Sequence, residues 1–477
     1  MNKRNKNLLK NSIIFMIGNF SSKLLIFFLL PLYTNYLDPA EYGQVDIYIN
    51  ILSMLYCFVS LQAIEVVYRF IQDAKTEAEK GEVITNSFMI AVFGMLLFSV
   101  GMGIFGAVTH FQYTLVFILY VVCNIMAQFC QQTIRGMNRS ALYSAVGVIS
   151  TFVQVALNIL FIVVCRYGSV SLLWSHVLTY LFIFIGILIK CNFFQYFRIS
   201  TLRWRIMKEQ LAYSLPLMPN ALCVWGMSSL GRYLLLFFYT TTEVGLLAFA
   251  TKFSQLLGVV NSIFFMAWQQ SAISEYNASD KNEYASDIFN KYLTMQVSAS
   301  ALLLPVIKFL TFTIMGESYR EAWQFIPLFF VGIILSGCAN FVSMGFYGAK
   351  KTNTVFVSSF VSIAVYFAVG YFGAKYWYIW GVGLAYALSQ LIYFLIMQIR
   401  VKPYLHAKIY FKKLLGPLLA AVLSVVLYYA VDSLAVLVGV TILLGGVFLY
   451  FNRQLCKKLL NTVFAKYKSR HAKSDTK

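Results

Sequence analysis

Five cations lie inside stretches apolar enough to cross a bilayer: Lys23, Arg69, Arg232, Lys252 and Lys308. The acids in the same stretches are fewer, namely Glu65 and, at the start of one stretch, Asp46. A charge facing hydrocarbon is expensive, so intramembrane ionisable groups point to a protein interior or a wet cavity and mark functional paths. Internal pairing cannot neutralise this excess, and an unpaired buried charge costs several kcal/mol, so the pattern points to an anion that enters from outside the fold. Guanidinium forks and lysine ammonium groups suit phosphate oxygens, which makes a phosphorylated group the natural candidate. Lys23, Arg232 and Lys252 lie deepest and are the candidate binding residues. Lys23 sits halfway along Ser12 to Tyr36, beside Gly18, Asn19, Ser21 and Ser22. The competing explanation for each cation is a side chain that snorkels or caps a neighbouring carbonyl, and it fits Lys308, near a stretch end, best.

Other polar residues invite narrower expectations. Gln62, Glu65 and Arg69 recur at spacings of three and four and so share one helix face; Glu65 and Arg69 either pair structurally or form a gate or proton-sensing site. Asp46 is either a solvated acid at a helix start or a coupling carboxylate. Pro31, Pro216 and Pro219 interrupt apolar runs, remove backbone hydrogen bonds and are candidate hinges, with a static kink as the alternative. Eight scattered cysteines and four isolated histidines give no disulfide framework and no metal-ligand spacing. Gly101-Met-Gly103-Ile-Phe-Gly106 matches a dinucleotide fingerprint in letters only, because it lies in an apolar run with no strand before it; helix packing is the better reading. No P-loop, nucleophile elbow or HExxH occurs, so the chain is expected to be no enzyme and to need no cofactor. An ion gradient, the membrane potential or a downhill lipid gradient would supply the energy.

The elements that must position these residues are membrane helices. The chain is 60% hydrophobic, 17% aromatic and 12% charged, with a mean hydropathy of +0.72. These values indicate an all-α polytopic membrane protein. Polar turns divide it into fourteen spans: 12–36, 44–71, 84–108, 113–134, 141–165, 170–190, 211–238, 244–270, 288–312, 323–348, 353–375, 379–400, 414–431 and 434–452. With the basic leader Met1 to Asn11 inside and the first span uncleaved, 30 lysines and arginines fall in inner segments and 3 in outer ones. The positive-inside rule then places both termini in the cytoplasm and accounts for the +20 net charge without nucleic acid. Outer connections are all short. Lys190 to Gln210 and the basic tail from Arg453 read as helices at the membrane surface, in contact with lipid.

The chain also repeats. A shift of 202 residues superimposes Ser12 on Ser214, Met16 on Met218, Leu32 on Leu234, Glu41 on Glu243, Gly43 on Gly245, Leu55 on Leu257 and Ser60 on Ser262. Six spans separate the copies, so they share an orientation and form parallel repeats. The expected organisation is an N-terminal six-helix lobe over 1–205, a second lobe over 206–400, two further helices over 401–452 and a cytoplasmic tail over 453–477. Two such lobes facing one cavity is an alternating-access arrangement.

Gly18 to Gly43, GNFSSKLLIFFLLPLYTNYLDPAEYG, resembles the start of polysaccharide repeat-unit flippases of the Wzx type, in the multidrug, oligosaccharidyl-lipid and polysaccharide exporter superfamily. Val67 to Phe70, Met315 to Ala322 and Gly345 to Lys350 look like further features of that family. The resemblance implies a fourteen-helix, two-lobe fold in a bacterial cytoplasmic membrane. It also implies passage of an isoprenoid-pyrophosphate-linked oligosaccharide to the outer leaflet for a capsule, O-antigen or other surface polysaccharide, alongside a polymerase and other assembly proteins. A lipid II flippase of peptidoglycan synthesis is the nearest alternative. A cation-coupled multidrug antiporter would need more carboxylates, and a membrane glycosyltransferase, polymerase or ligase would need a large outer loop. Loss of Lys23, Arg232 or Lys252 is expected to abolish export at normal protein levels.

Overall fold

The computed structural model describes residues 29–137, 139–191, 193–197, 199–274, 280–349, 353–454 and 457. Most of these residues are helical, and no strand occurs among them. Each apolar run expected to span a membrane and lying within the described residues is a helix or a bent pair of helices. Among the described residues, ten helices are long and apolar enough to cross a bilayer, or eleven if one bent pair counts as a span.

Contacts divide the chain into two compact units. The first comprises 1–252 with 359–385 and the second 253–358 with 386–477. In the first unit, α1 (Leu30–Tyr36) opens on Pro31 in its first turn, where the missing N–H costs nothing. The carbonyl of Pro31 accepts from Asn35 at 2.7 Å, and the apolar run before Leu29 lies outside the described residues. α2 (Pro39–Val59) and α3 (Ala63–Asp73) meet at a 48° bend. The bend falls where Leu61 and Gln62 both take left-handed backbone conformations, with φ of 46° and 56°.

This break corrects one expectation. Gln62 is a buried residue in the bend, while Glu65 and Arg69 are exposed on α3, and Arg69 pairs with Asp73 at 2.6 Å instead of Glu65. α4 (Glu77–Thr109) starts with a reciprocal capping box between Thr76 and Glu79. Its exposed Phe93, Leu96, Leu97, Val100 and Ile104 form the lipid-compatible face of a spanning helix. Of the three fingerprint-like glycines on α4, Gly106 faces Thr114, whose Oγ1 lies 2.1 Å from where a Cβ would be, whereas a Cβ on Gly101 or Gly103 would meet no other part of the fold within 4 Å.

α5 (Thr114–Gly136), α6 (Ser140–Asn158) with a π-helical extension over Ile159–Val164, and α7 (Ser171–Cys191) follow. The connection after α7 is not one surface helix. It makes two short turns, Phe193–Tyr196 and Ile199–Thr201, pinned to α4 by Thr85 on the Tyr196 carbonyl at 3.1 Å and by Asn86 on the Thr201 carbonyl at 3.0 Å. The tail from Arg453 lies almost wholly outside the described residues.

α8 (Trp204–Ser214) and α9 (Leu217–Phe238) form one span interrupted at Leu215 and Pro216, and Pro219 sits in the first turn of α9. α10 (Thr241–Ser274) begins in the first unit. In the second unit α11 (Lys281–Ile314) packs against α14 (Phe411–Ala430) and α15 (Leu434–Phe451), while α12 (Ile326–Gly348) follows a short 3-10 segment. α13 (Asn353–Val401) contains 49 residues and loses helical geometry at Trp377 and Tyr378. At about 1.5 Å per residue it exceeds twice a bilayer core of about 30 Å, so it comprises two spans that meet at this break.

Candidate functional site

The site is built where α2 meets α9 in the first unit. On α2, Asp46 and Asn50 stand one turn apart; on α9, Trp225, Ser229 and Arg232 recur at helical spacing along one face. Arg232 Nε donates to Asp46 Oδ2, and Arg232 Nη1 donates to the Ser228 carbonyl at 2.8 Å. Asn50 Nδ2 donates to the Asp46 carbonyl at 2.7 Å and to Asp46 Oδ2 at 3.3 Å. Ser229 donates to Asn50 Oδ1 at 2.8 Å, and the Trp225 indole donates to the Asn50 carbonyl at 2.9 Å. Asp46 and Arg232 are each only 6% exposed. An ion pair buried this deeply holds only if its remaining lone pairs and protons also find partners, and the Asn50 and Ser228 contacts supply them.

Asp46 is therefore not a solvated acid at a helix start. Its burial also means that Arg232 is not a free cation in this conformation.

Three residues before Asp46, two helices cross backbone to backbone. A Cβ on Gly43 would lie 1.9 Å from the Thr241 carbonyl oxygen and 2.6 Å from the Gly245 nitrogen; one on Gly245 would lie 2.0 Å from the Pro39 carbonyl oxygen. The 202-residue shift converts Pro39 into Thr241 and Gly43 into Gly245, so the two contacts are images of each other. The repeat register read from weak identity thus has a physical basis: α2 and its counterpart α10 cross backbone to backbone, and only glycine fits there. Gly231 is similarly tight, with Tyr366 Oη 2.5 Å from where its Cβ would be.

Lys252, on α10, occupies the repeat position of Asn50. Among the described residues it has no hydrogen-bond or ion-pair partner, although it lies within electrostatic reach of Asp46, Arg232 and His176. It is partly accessible. His176 on α7 contacts Gln154 on α6 at 3.0 Å and lies beside Tyr120 of α5, with ring centroids 5.6 Å apart. Lys252 is thus a cation near a polar seam of α5, α6 and α7.

Of the sequence candidates, the structure brings together Asp46, Arg232 and Lys252 and leaves Glu65 and Arg69 apart on α3. Lys23 lies outside the described residues. Pro216 and Pro219 lie at the α8–α9 interruption. In the second unit Lys308, 1% exposed, caps the end of α14 by donating to the carbonyls of Tyr428 and Val431 at 2.7 and 2.8 Å and to Asp432 at 3.2 Å. Its ammonium lies 4.1 Å from the Trp323 ring centroid, which confirms the carbonyl-capping explanation for that residue. Asn50, Ser229, Trp225, Gln154 and His176 carried no signal beyond being polar or aromatic in apolar runs.

Comparison with known proteins supports the fold. The lipid II flippase MurJ in an inward closed conformation superposes with a TM-score of 0.70 at 15% identity, over 93% of this chain and 100% of that one. An inward-facing multidrug resistance MATE family transporter of the MOP superfamily gives 0.61 at 13% identity, over 82% and 98%. A variant of the Vibrio cholerae MATE transporter VcmN gives 0.57 at 15% identity, over 83% and 96%. At such identities the likeness concerns the fold. No curated protein sequence matches the chain. The family model described as polysaccharide biosynthesis protein matches residues 8–271, which contain the α2–α9 site, the glycine crossing and Lys252. With more than half of its length in that match, the chain belongs to the polysaccharide biosynthesis protein family.

Proposed function

We propose that the protein is a flippase, not an enzyme, that carries an isoprenoid-pyrophosphate-linked oligosaccharide repeat unit across a bacterial cytoplasmic membrane for surface polysaccharide synthesis. The observation that carries this reading is Lys252: a cation on α10, in an apolar run of the sequence, partly accessible and, among the described residues, with no acid committed to it. A charge in that setting is costly unless an anion visits it, and a pyrophosphate supplies one. Lys23 is the second ligand in this reading. In the repeat register Lys23 corresponds to Trp225 and Lys252 to Asn50, the pair whose hydrogen bond joins α9 to α2. The isoprenoid tail stays in lipid while the head group passes by alternating access, with the Pro216 and Pro219 interruption as a hinge and an ion gradient or the membrane potential as energy source. Both termini lie in the cytoplasm, following the distribution of lysine and arginine.

A lipid II flippase is the second reading, favoured by the superposition on MurJ over nearly the whole chain. A multidrug antiporter that needs a free acid is disfavoured, because Arg232 occupies Asp46.

The test is export of surface polysaccharide by Lys23→Ala and Lys252→Ala at matched membrane levels of protein. Loss of export in both supports the reading, and wild-type export in both refutes it. Glycosyltransferase and polymerase genes beside this gene would favour the first cargo, and cell-wall synthesis genes the second.

A further inference from the structure

The ion pair beside the glycine crossing has a chemical consequence for any anion that enters. Arg232 is one of the cations suited to phosphate, yet Asp46 holds its Nε and the Ser228 carbonyl holds its Nη1. A carboxylate and a phosphate oxygen are interchangeable acceptors for one guanidinium edge, so they cannot occupy it together. The same pair joins α2 to α9. It stands one turn from Gly43, where α2 lies backbone to backbone against α10, and one turn from Asn50, where Ser229 and Trp225 make the next links.

We propose that Asp46 is an internal stand-in for the anionic head group: it latches α2 to α9 through Arg232, and a phosphate oxygen that takes its place on Arg232 releases the latch and lets the crossing at Gly43 and Gly245 part. Lys252, without a hydrogen-bond or ion-pair partner among the described residues and within electrostatic reach of both Asp46 and Arg232, receives the anion first and draws it toward the exchange. The device couples cargo to movement without a nucleotide. An empty protein stays closed because its own carboxylate satisfies the arginine, and only an anion able to compete with that carboxylate opens it. A ligand shifts such an equilibrium by no more than its differential affinity for the two states, and here exchange on Arg232 supplies that difference. No bond is made or broken, and no proton needs to leave. The inference rests on the pyrophosphate reading of the site and adds the competition between Asp46 and the cargo.

The probe is inorganic pyrophosphate, titrated calorimetrically into the purified full-length protein. Asp46→Asn removes the competitor and is expected to tighten pyrophosphate binding by roughly 5- to 150-fold, the usual span of a site-to-site coupling. Asp46→Glu keeps the carboxylate and is expected to bind as wild type does. In parallel, emission of the wild-type protein is followed as pyrophosphate is added. Release of α2 from α9 breaks the bond from the Trp225 indole to Asn50 and shifts that emission, and Trp225→Phe removes the shift. The emission arm needs no change at Asp46, so it decides the matter should Asp46→Asn fail to fold. Unchanged or weaker binding by a folded Asp46→Asn overturns the latch, as does a wild-type emission unmoved at saturating pyrophosphate. If Lys252→Ala nevertheless loses pyrophosphate in those cases, the functional reading survives without the latch. No pyrophosphate binding in any variant, wild type included, overturns both.

Discussion

Replacing Gly43 by alanine places a Cβ 1.9 Å from the Thr241 carbonyl oxygen and 2.6 Å from the Gly245 nitrogen. A carbon and a carbonyl oxygen settle no closer than about 3.3 Å, so α2 must retreat from α10 by about 1.4 Å. Both obstructing atoms are backbone, which no rotamer change can move aside. Overpacking of this kind costs about 1–3 kcal/mol, and the upper end applies here. Gly245→Ala meets the Pro39 carbonyl oxygen at 2.0 Å, so its cost should match.

One separation relieves both clashes, so the double variant should cost less than the sum of the singles by about 1–2 kcal/mol, a coupling typical of residues in direct contact. The assay is thermal unfolding of purified protein, with Gly186→Ala as control because a Cβ there meets nothing within 4 Å. If Gly43→Ala unfolds no earlier than Gly186→Ala, or if the two site variants add fully, the reciprocal crossing of the repeats is refuted.

The remaining expectations follow from the buried charges and caps. Arg232→Ala leaves Asp46 buried without its counter-ion and should destabilise the protein by about 3–5 kcal/mol, lowering its membrane level. This replaces the sequence-based expectation of a normal level, and Asp46→Asn combined with Arg232→Gln should recover most of the loss in thermal unfolding. Lys308→Met strips two buried carbonyls of their donor and should cost about 2–4 kcal/mol without changing pyrophosphate binding, measured by melting and calorimetry together. Thr76→Ala removes the capping box of α4 and should cost about 1 kcal/mol, read as faster amide exchange in its first turn.

The spans were readable because runs of about twenty apolar residues between polar turns have no other stable form in a bilayer. The breaks were less readable. Leu61 and Gln62 adopt left-handed backbone without a glycine to announce it, so one expected span became a bent pair, and Gln62 is buried in the bend while Glu65 and Arg69 stay exposed on α3. Candidate site residues were visible as charges in apolar runs, but not their partners. Asp46 and Arg232 are 186 positions apart, and nothing local in either run names the other. Lys308 and the carbonyls it caps are separated by at least 120 positions, with the same result. The repeat was the exception, since the Glu-x-Gly pairs preserved a register whose cause is steric: each glycine makes room for the backbone of the other copy.

Whether Lys252 receives the pyrophosphate is measured by translocation of an isoprenoid-pyrophosphate-linked oligosaccharide in proteoliposomes by the wild type, Lys252→Ala and Lys252→Arg. Movement by the wild type, loss with alanine and partial retention with arginine, which keeps the charge and changes its geometry, are expected. Equal translocation by all three proteins would contradict that role for Lys252.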